Sequence, residues 1–95
     1  PLGFSGETDR IHWVDTPITV HDPVFNRRIT LTSDNAANAV IWNPWVDKTA
    51  QFNDIPADGW QTMVCVESAN VRNNAIHLTP GQSHELTLTL AVSDL

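Results

Sequence analysis

Three places in this chain carry residue types that could do chemistry. The first is Glu67, which closes the run Met63-Val64-Cys65-Val66 and is followed by Ser68-Ala69-Asn70. A carboxylate at the end of an apolar strand is costly to bury unless it is paired or hydrogen-bonded. Held partly buried, such a group has its proton affinity raised toward neutrality, which is what a general base needs. A carboxylate that emerges at a sheet edge and meets water weighs equally on the residues alone. The second place is Asp9 in Gly6-Glu7-Thr8-Asp9-Arg10, just ahead of a strand. By spacing alone it reads as a turn carboxylate beside an arginine. The third is Trp42-Asn43-Pro44-Trp45, an amide between two indoles. Indole faces stack on the apolar C–H face of a pyranose, and an amide can bridge two hydroxyls. Two core tryptophans around a proline turn is the more general reading of that pattern.

Other chemistries lack their residues. His12, His21, His77 and His84 have no spacing that pairs two of them on a metal, and none is assigned a role. The single cysteine, Cys65, has no partner for an internal disulfide and reads as a buried, inert thiol in a reduced protein. The sequence has no glycine-rich phosphate loop, nucleophile elbow or paired metal-carboxylate motif.

Composition narrows the partners. Eleven acids against five bases give a formal net charge of −6, and Arg27-Arg28 is the only adjacent basic pair. Nucleic acid and anionic membrane surfaces need clustered cations, so both are excluded as partners. A small anion is still compatible, because one or two placed arginines suffice for it. Hydrophobic residues make up 41% and charged residues 17%, the balance of a folded chain rather than a disordered one. The four tryptophans must fill a core or line a ligand surface. No apolar run approaches membrane-spanning length and no signal-like segment opens the sequence, so a cytoplasmic location is expected.

These candidate residues must be positioned by strands. No window of helical length keeps apolar residues at i, i+3, i+4 and i+7. Short alternating runs recur instead, punctuated by Pro, Asn, Asp and Gly. Strands are expected over 10–14, ended by Asp15-Thr16-Pro17, and over 18–21, 28–32 and 38–42, the last stopped by Asn43-Pro44. Residues 45–60 form a long irregular segment with room for one helical turn near 46–50; a loop of that length is usually functional or mobile. A buried strand follows at 61–68. A final hairpin is expected from 75–78 and 85–92 around Thr79-Pro80-Gly81-Gln82, with Leu86, Leu88, Leu90 and Val92 on one face in a core. Seven or so short antiparallel strands make the fold class all-β, an antiparallel β-sandwich.

Five segments in order resemble the galactose mutarotase-like (aldose 1-epimerase) superfamily, in its hexose-6-phosphate mutarotase branch. They are Phe4-Ser5-Gly6-Glu7-Thr8-Asp9-Arg10-Ile11, Asn26-Arg27-Arg28-Ile29, Trp42-Asn43-Pro44-Trp45, Met63-Val64-Cys65-Val66-Glu67-Ser68-Ala69-Asn70-Val71 and Leu78-Thr79-Pro80-Gly81-Gln82-Ser83-His84. Each motif alone is weak; their shared order covers nearly the whole chain. The resemblance implies that residues 1–95 are the C-terminal segment of one supersandwich domain whose N-terminal part lies outside this sequence. It makes Glu67 the catalytic general base and Asp9 a substrate-binding residue. Asn43, from the amide between two indoles, is a further substrate-binding candidate on its residue type alone. The implied reaction interconverts the α and β anomers of a hexose 6-phosphate by acid–base ring opening, without metal or organic cofactor. The family's catalytic histidine and phosphate-binding arginines match no stretch here, and His12 stands where the family usually has tyrosine.

Three structural expectations follow from this reading. Asp9 and Glu67 approach each other on one sheet face. Glu67 is mostly buried among polar neighbours, and Cys65 is fully buried. An apolar edge or face stays exposed unless the N-terminal part of the same protein, or another copy of the segment, covers it. Two other classes compete: a non-catalytic carbohydrate-binding β-sandwich that uses Trp42, Trp45 and Trp60 as a stacking platform, and a structural sandwich with every tryptophan in its core.

Overall fold

The computed structural model describes residues 2–15 and 17–95. Thr16, expected in the turn after the first strand, lies outside the described residues. The described residues are nearly all-β, with two three-stranded sheets and one short helix, the class expected from the alternating runs. Among the described residues six strands form, rather than seven: β1 (Thr8–Trp13), β2 (Ile18–Asp22), β3 (Arg27–Asp34), β4 (Asn38–Asn43), β5 (Cys65–Ala69) and β6 (Thr87–Asp94). Among the described residues no helix is long and apolar enough to cross a membrane. The chain divides into two compact units, one built from the stretches up to 12 and 39–67, the other from 13–38 and 68–95.

The second unit holds the sheet β2-β3-β6. β2 and β3 make an antiparallel hairpin from Ile18↔Leu31 to Asp22↔Arg27. Its loop, Pro23 to Asn26, closes because Asn26 takes a left-handed backbone (φ 50°) and donates its N–H to the Pro23 carbonyl at 3.3 Å. Asparagine tolerates that region better than most residues. Arg27 donates from Nε to Asp22 Oδ2 at 2.8 Å, and its guanidinium stands 4.9 Å from the Phe25 ring centre, which braces the turn. A second clasp lies at 34–38. Asn35 is left-handed (φ 63°), and Asn70 donates from Nδ2 to its carbonyl while accepting the Ala37 N–H.

The partner of β6 differs from expectation. Residues 75–78 form no strand, and β6 pairs with β3 along its whole length, from Arg27↔Asp94 to Asp34↔Thr87. The turn at Thr79–Gln82 does exist. Gln82 donates to the Thr79 carbonyl at 3.0 Å, with Gly81 at φ 88° supplying the left-handed corner that follows Pro80. It reverses the chain without creating a ladder, because β3 offers eight paired positions and the short 75–78 run cannot compete.

The register puts Ile18, Leu31 and Leu90 in one row, and Val20, Ile29 and Val92 in the next, on the same face. That face is apolar, as the alternation predicts. It is covered unevenly: Leu31 is 7% exposed, whereas Leu90 is 60% and Val92 65% exposed. The expectation that β6 buries its leucine face in a core is therefore corrected. Alternation specifies which residues share a face, not what covers them.

Candidate active site

The first unit carries all three candidate residues. β1, β4 and β5 form its sheet in that order, so β4 runs between the strand bearing Asp9 and the strand bearing Glu67. Neighbouring strands lie about 4.8 Å apart, which sets β1 and β5 roughly 10 Å apart across the sheet. Asp9 is the second residue of β1 and is exposed. Ahead of it Thr8 is buried and donates from Oγ1 to the Gly6 carbonyl at 3.0 Å, fixing the start of the strand.

Glu67 stands mid-strand in β5 and is exposed, while Cys65, Val66, Ser68 and Ala69 around it are half-buried. Two expectations are corrected here: Glu67 is not mostly buried, and Cys65 is not fully buried. An apolar run dictates a strand, but the cover over its face comes from distant sequence. β5 is also shorter than expected. Residues Gly59–Thr62 form a 3-10 turn, so the strand begins at Cys65 and not at Gln61. A Cβ at Gly59 would meet Ile55 Cγ2 at 2.8 Å, so any larger residue at that turn would force the Ile55 side chain to shift.

Cys65 and Glu67 are two residues apart on one strand and share a face. The Cys65 thiol is pushed above its ordinary pKa, first by burial and second by the Glu67 carboxylate. Both disfavour the thiolate. The sign for stability follows: as pH climbs past the ordinary thiol value, the unfolded chain loses its proton first, and this thiol's contribution to stability declines. Alkylation of Cys65 by iodoacetamide is expected to be slower than that of an unstructured cysteine at the same pH. Glu67→Gln should speed it in part, leaving the burial effect in place. A pH–rate midpoint unmoved by Glu67→Gln would show that the carboxylate does not act on the thiol.

Asn43 ends β4 and is 3% exposed. Its Oδ1 accepts the Trp45 N–H, and its Nδ2 donates to the carbonyls of Trp60 and Met63, each at 2.9 Å. The amide expected to bridge sugar hydroxyls is thus engaged with its own chain. Pro44 is fully buried, and the helix α1 (Trp45–Thr49) follows, at the place where one helical turn is expected. Trp45 is left-handed at φ 58°, a rare backbone for a bulky residue. Nothing in the local sequence signals it; the only trace is the strand-stopping Asn43-Pro44 before it.

The indoles are packed on aromatic neighbours. Trp45 and Trp60 have ring centres 4.5 Å apart, and Trp42 meets Phe52 edge-on at 6.0 Å. All three tryptophans are half-buried. A platform of three free indole faces, which the carbohydrate-binding alternative uses, is not what these contacts make. His12, His77 and His84 are exposed, the last two outside any strand.

The sequence matches the family described as aldose 1-epimerase over residues 1–91. It is similar to a protein of Salmonella typhimurium, 36% identical over 66 residues, a match covering 68% of this chain and 22% of that protein. An Escherichia coli K12 protein is 36% identical over 67 residues, covering 70% of this chain and 23% of that protein. A protein of Cenchrus ciliaris is 30% identical over 80 residues, covering 83% of this chain and 24% of that protein. All three carry the provisional name glucose-6-phosphate 1-epimerase. The chain therefore matches no more than 24% of the length of these relatives. No solved structure matches it significantly.

Proposed function

The chain belongs to the aldose 1-epimerase family, and from that premise we propose that it supplies the general base of a hexose-6-phosphate mutarotase. Glu67 takes the proton of the C1 hydroxyl. An acid from sequence outside this chain protonates the ring oxygen, the ring opens, the C1–C2 bond rotates, and closure on the other carbonyl face gives the other anomer. Base and acid placed on opposite sides of the hemiacetal suffice for this reaction. Asp9 holds a sugar hydroxyl by accepting its hydrogen bond.

The observation that supports this reading best is the sheet order β1-β4-β5. It puts Asp9 and Glu67, both exposed, on the outer strands of one three-stranded sheet, although they are far apart in sequence. The roughly 10 Å between those strands leaves room for one pyranose. The phosphate charge of the substrate keeps it from crossing membranes, so this reading also places the protein in the cytoplasm.

The test is exchange between α- and β-glucose 6-phosphate, followed by NMR with spontaneous exchange subtracted. A full-length protein carrying this segment is expected to accelerate it. Binding of the sugar phosphate with no acceleration would instead support the non-catalytic carbohydrate-binding class.

A further inference from the structure

Given Glu67 as the base, we propose that Asn43 is its positioning residue: the amide fixes the point where the chain turns into β5, and so sets where Glu67 stands. The carboxamide offers two N–H donors and two acceptor lone pairs. Both donors are taken by the Trp60 and Met63 carbonyls, and one lone pair by the Trp45 N–H. No donor is left for a sugar hydroxyl, and at 3% exposure the side chain does not face solvent.

What these bonds span gives the role. Asn43 is the last residue of β4, and Met63 comes two residues before β5. Between them the chain makes its long excursion through α1 and the 59–62 turn. The amide of Asn43 pins the returning end of that excursion to the end of the neighbouring strand. The surroundings hold the amide in turn. Pro44 is fully buried and fixes the backbone after it. Trp45 is held left-handed, which turns its N–H onto Asn43 Oδ1 and lays its ring against Trp60. Thr49, 1% exposed, donates from Oγ1 to the Trp45 carbonyl at 2.5 Å. A bulky residue stays in that backbone region only when its neighbours over-determine it.

Few side chains could replace this amide. A carboxylate keeps the acceptor for Trp45 and loses both donors, while a serine hydroxyl keeps a single donor. The test uses both changes. In the 95-residue chain, Asn43→Asp at neutral pH should raise backbone hydrogen exchange over residues 63–67 by about tenfold or more, with β3 and β6 within about twofold. Asn43→Ser should give a smaller rise with the same local pattern. In a full-length protein carrying the segment, Asn43→Asp should lower kcat by roughly 10- to 100-fold with KM little changed, since misplacing a catalytic group by about 1 Å costs on that order.

Equal acceleration of hydrogen exchange in every strand would overturn the proposal, because Asn43 would then serve only overall stability. A raised KM with unchanged kcat would also overturn it, by showing a sugar contact. The base assignment is read separately from Glu67→Gln. If that variant exchanges anomers normally, the base reading fails, and hydrogen exchange over 63–67 still decides whether Asn43 fixes β5.

Discussion

Glu67→Gln, in a full-length protein carrying this segment, is expected to lose anomer exchange by about 100- to 10,000-fold, the usual worth of a positioned general base. At 1.36 kcal/mol per tenfold, that corresponds to roughly 3–5 kcal/mol of transition-state stabilisation. Glutamine keeps the size and can still donate or accept a hydrogen bond, but it takes no proton at neutral pH. Affinity for the sugar phosphate should therefore stay within a few-fold. The exposure of Glu67 favours a clean result, because no buried partner is left unsatisfied by the change. Asp9→Asn should differ by weakening binding together with turnover, as expected of a group that holds a hydroxyl. Wild-type exchange in Glu67→Gln would remove Glu67 as the base.

The second large effect is on stability. Leu31→Ala is expected to cost roughly 2–5 kcal/mol, the usual range for truncating a buried leucine. At about 4–8 °C per kcal/mol for a chain of this size, the midpoint should fall by roughly 8–40 °C. Leu31 is the central residue of its row, between Ile18 on β2 and Leu90 on β6, and is 7% exposed. Among the described residues the buried apolar set is small, Leu31, Ala39 and Ile41 beside Pro44, so each member carries much of the total. Leu90→Ala is the control. It removes the same atoms from the cross-strand partner, but at 60% exposure it should cost well under half as much. Thermal melts followed by circular dichroism decide the matter; equal losses in the two variants would show that Leu31 is not in a core.

Much of this fold is legible in the sequence, for local reasons. β2 and β3 follow from short-range alternation bounded by Asp22-Pro23 and Asp34-Asn35, and β4 stops at Asn43-Pro44 because proline cannot continue a ladder. The helical turn near 46–50 is where α1 forms. What escapes a local reading is set by distant partners. The late start of β5 depends on carbonyls of Trp60 and Met63 tied to Asn43, about twenty residues earlier, a tie with no local pattern. β6 shows its apolar face by its leucines, yet its partner is β3, which no alternation names. Exposure misleads in the same way. Met63 to Val66 announces a strand, but the openness of the Glu67 position depends on what lies over β5. Glu67 and Asp9 are picked out as functional candidates by ordered motif resemblance, since spacing alone leaves each with a plainer reading.

The two neighbours of β3 also differ in how far along the chain they lie, and that difference sets an order of folding events. β2 is one short loop away, and the Asp22, Phe25 and Arg27 contacts brace that loop. Such a hairpin forms in about 1–10 μs. β6 begins about fifty residues after β3 ends, so its docking must first offset a much larger loop-closure entropy. The most extensive pairing of that sheet is therefore the late one. The hydrogen bond from the Leu95 N–H to the Asn26 carbonyl sets the alternation of that ladder, so Thr89 and Ala91 turn their N–H groups toward β3. Rapid-mixing amide labelling should protect Val20 and Ile29 before Thr89 and Ala91, and simultaneous protection would contradict the order. Leu31 then gathers its partners in two stages, Ile18 from the nascent hairpin and Leu90 only when the distant strand arrives.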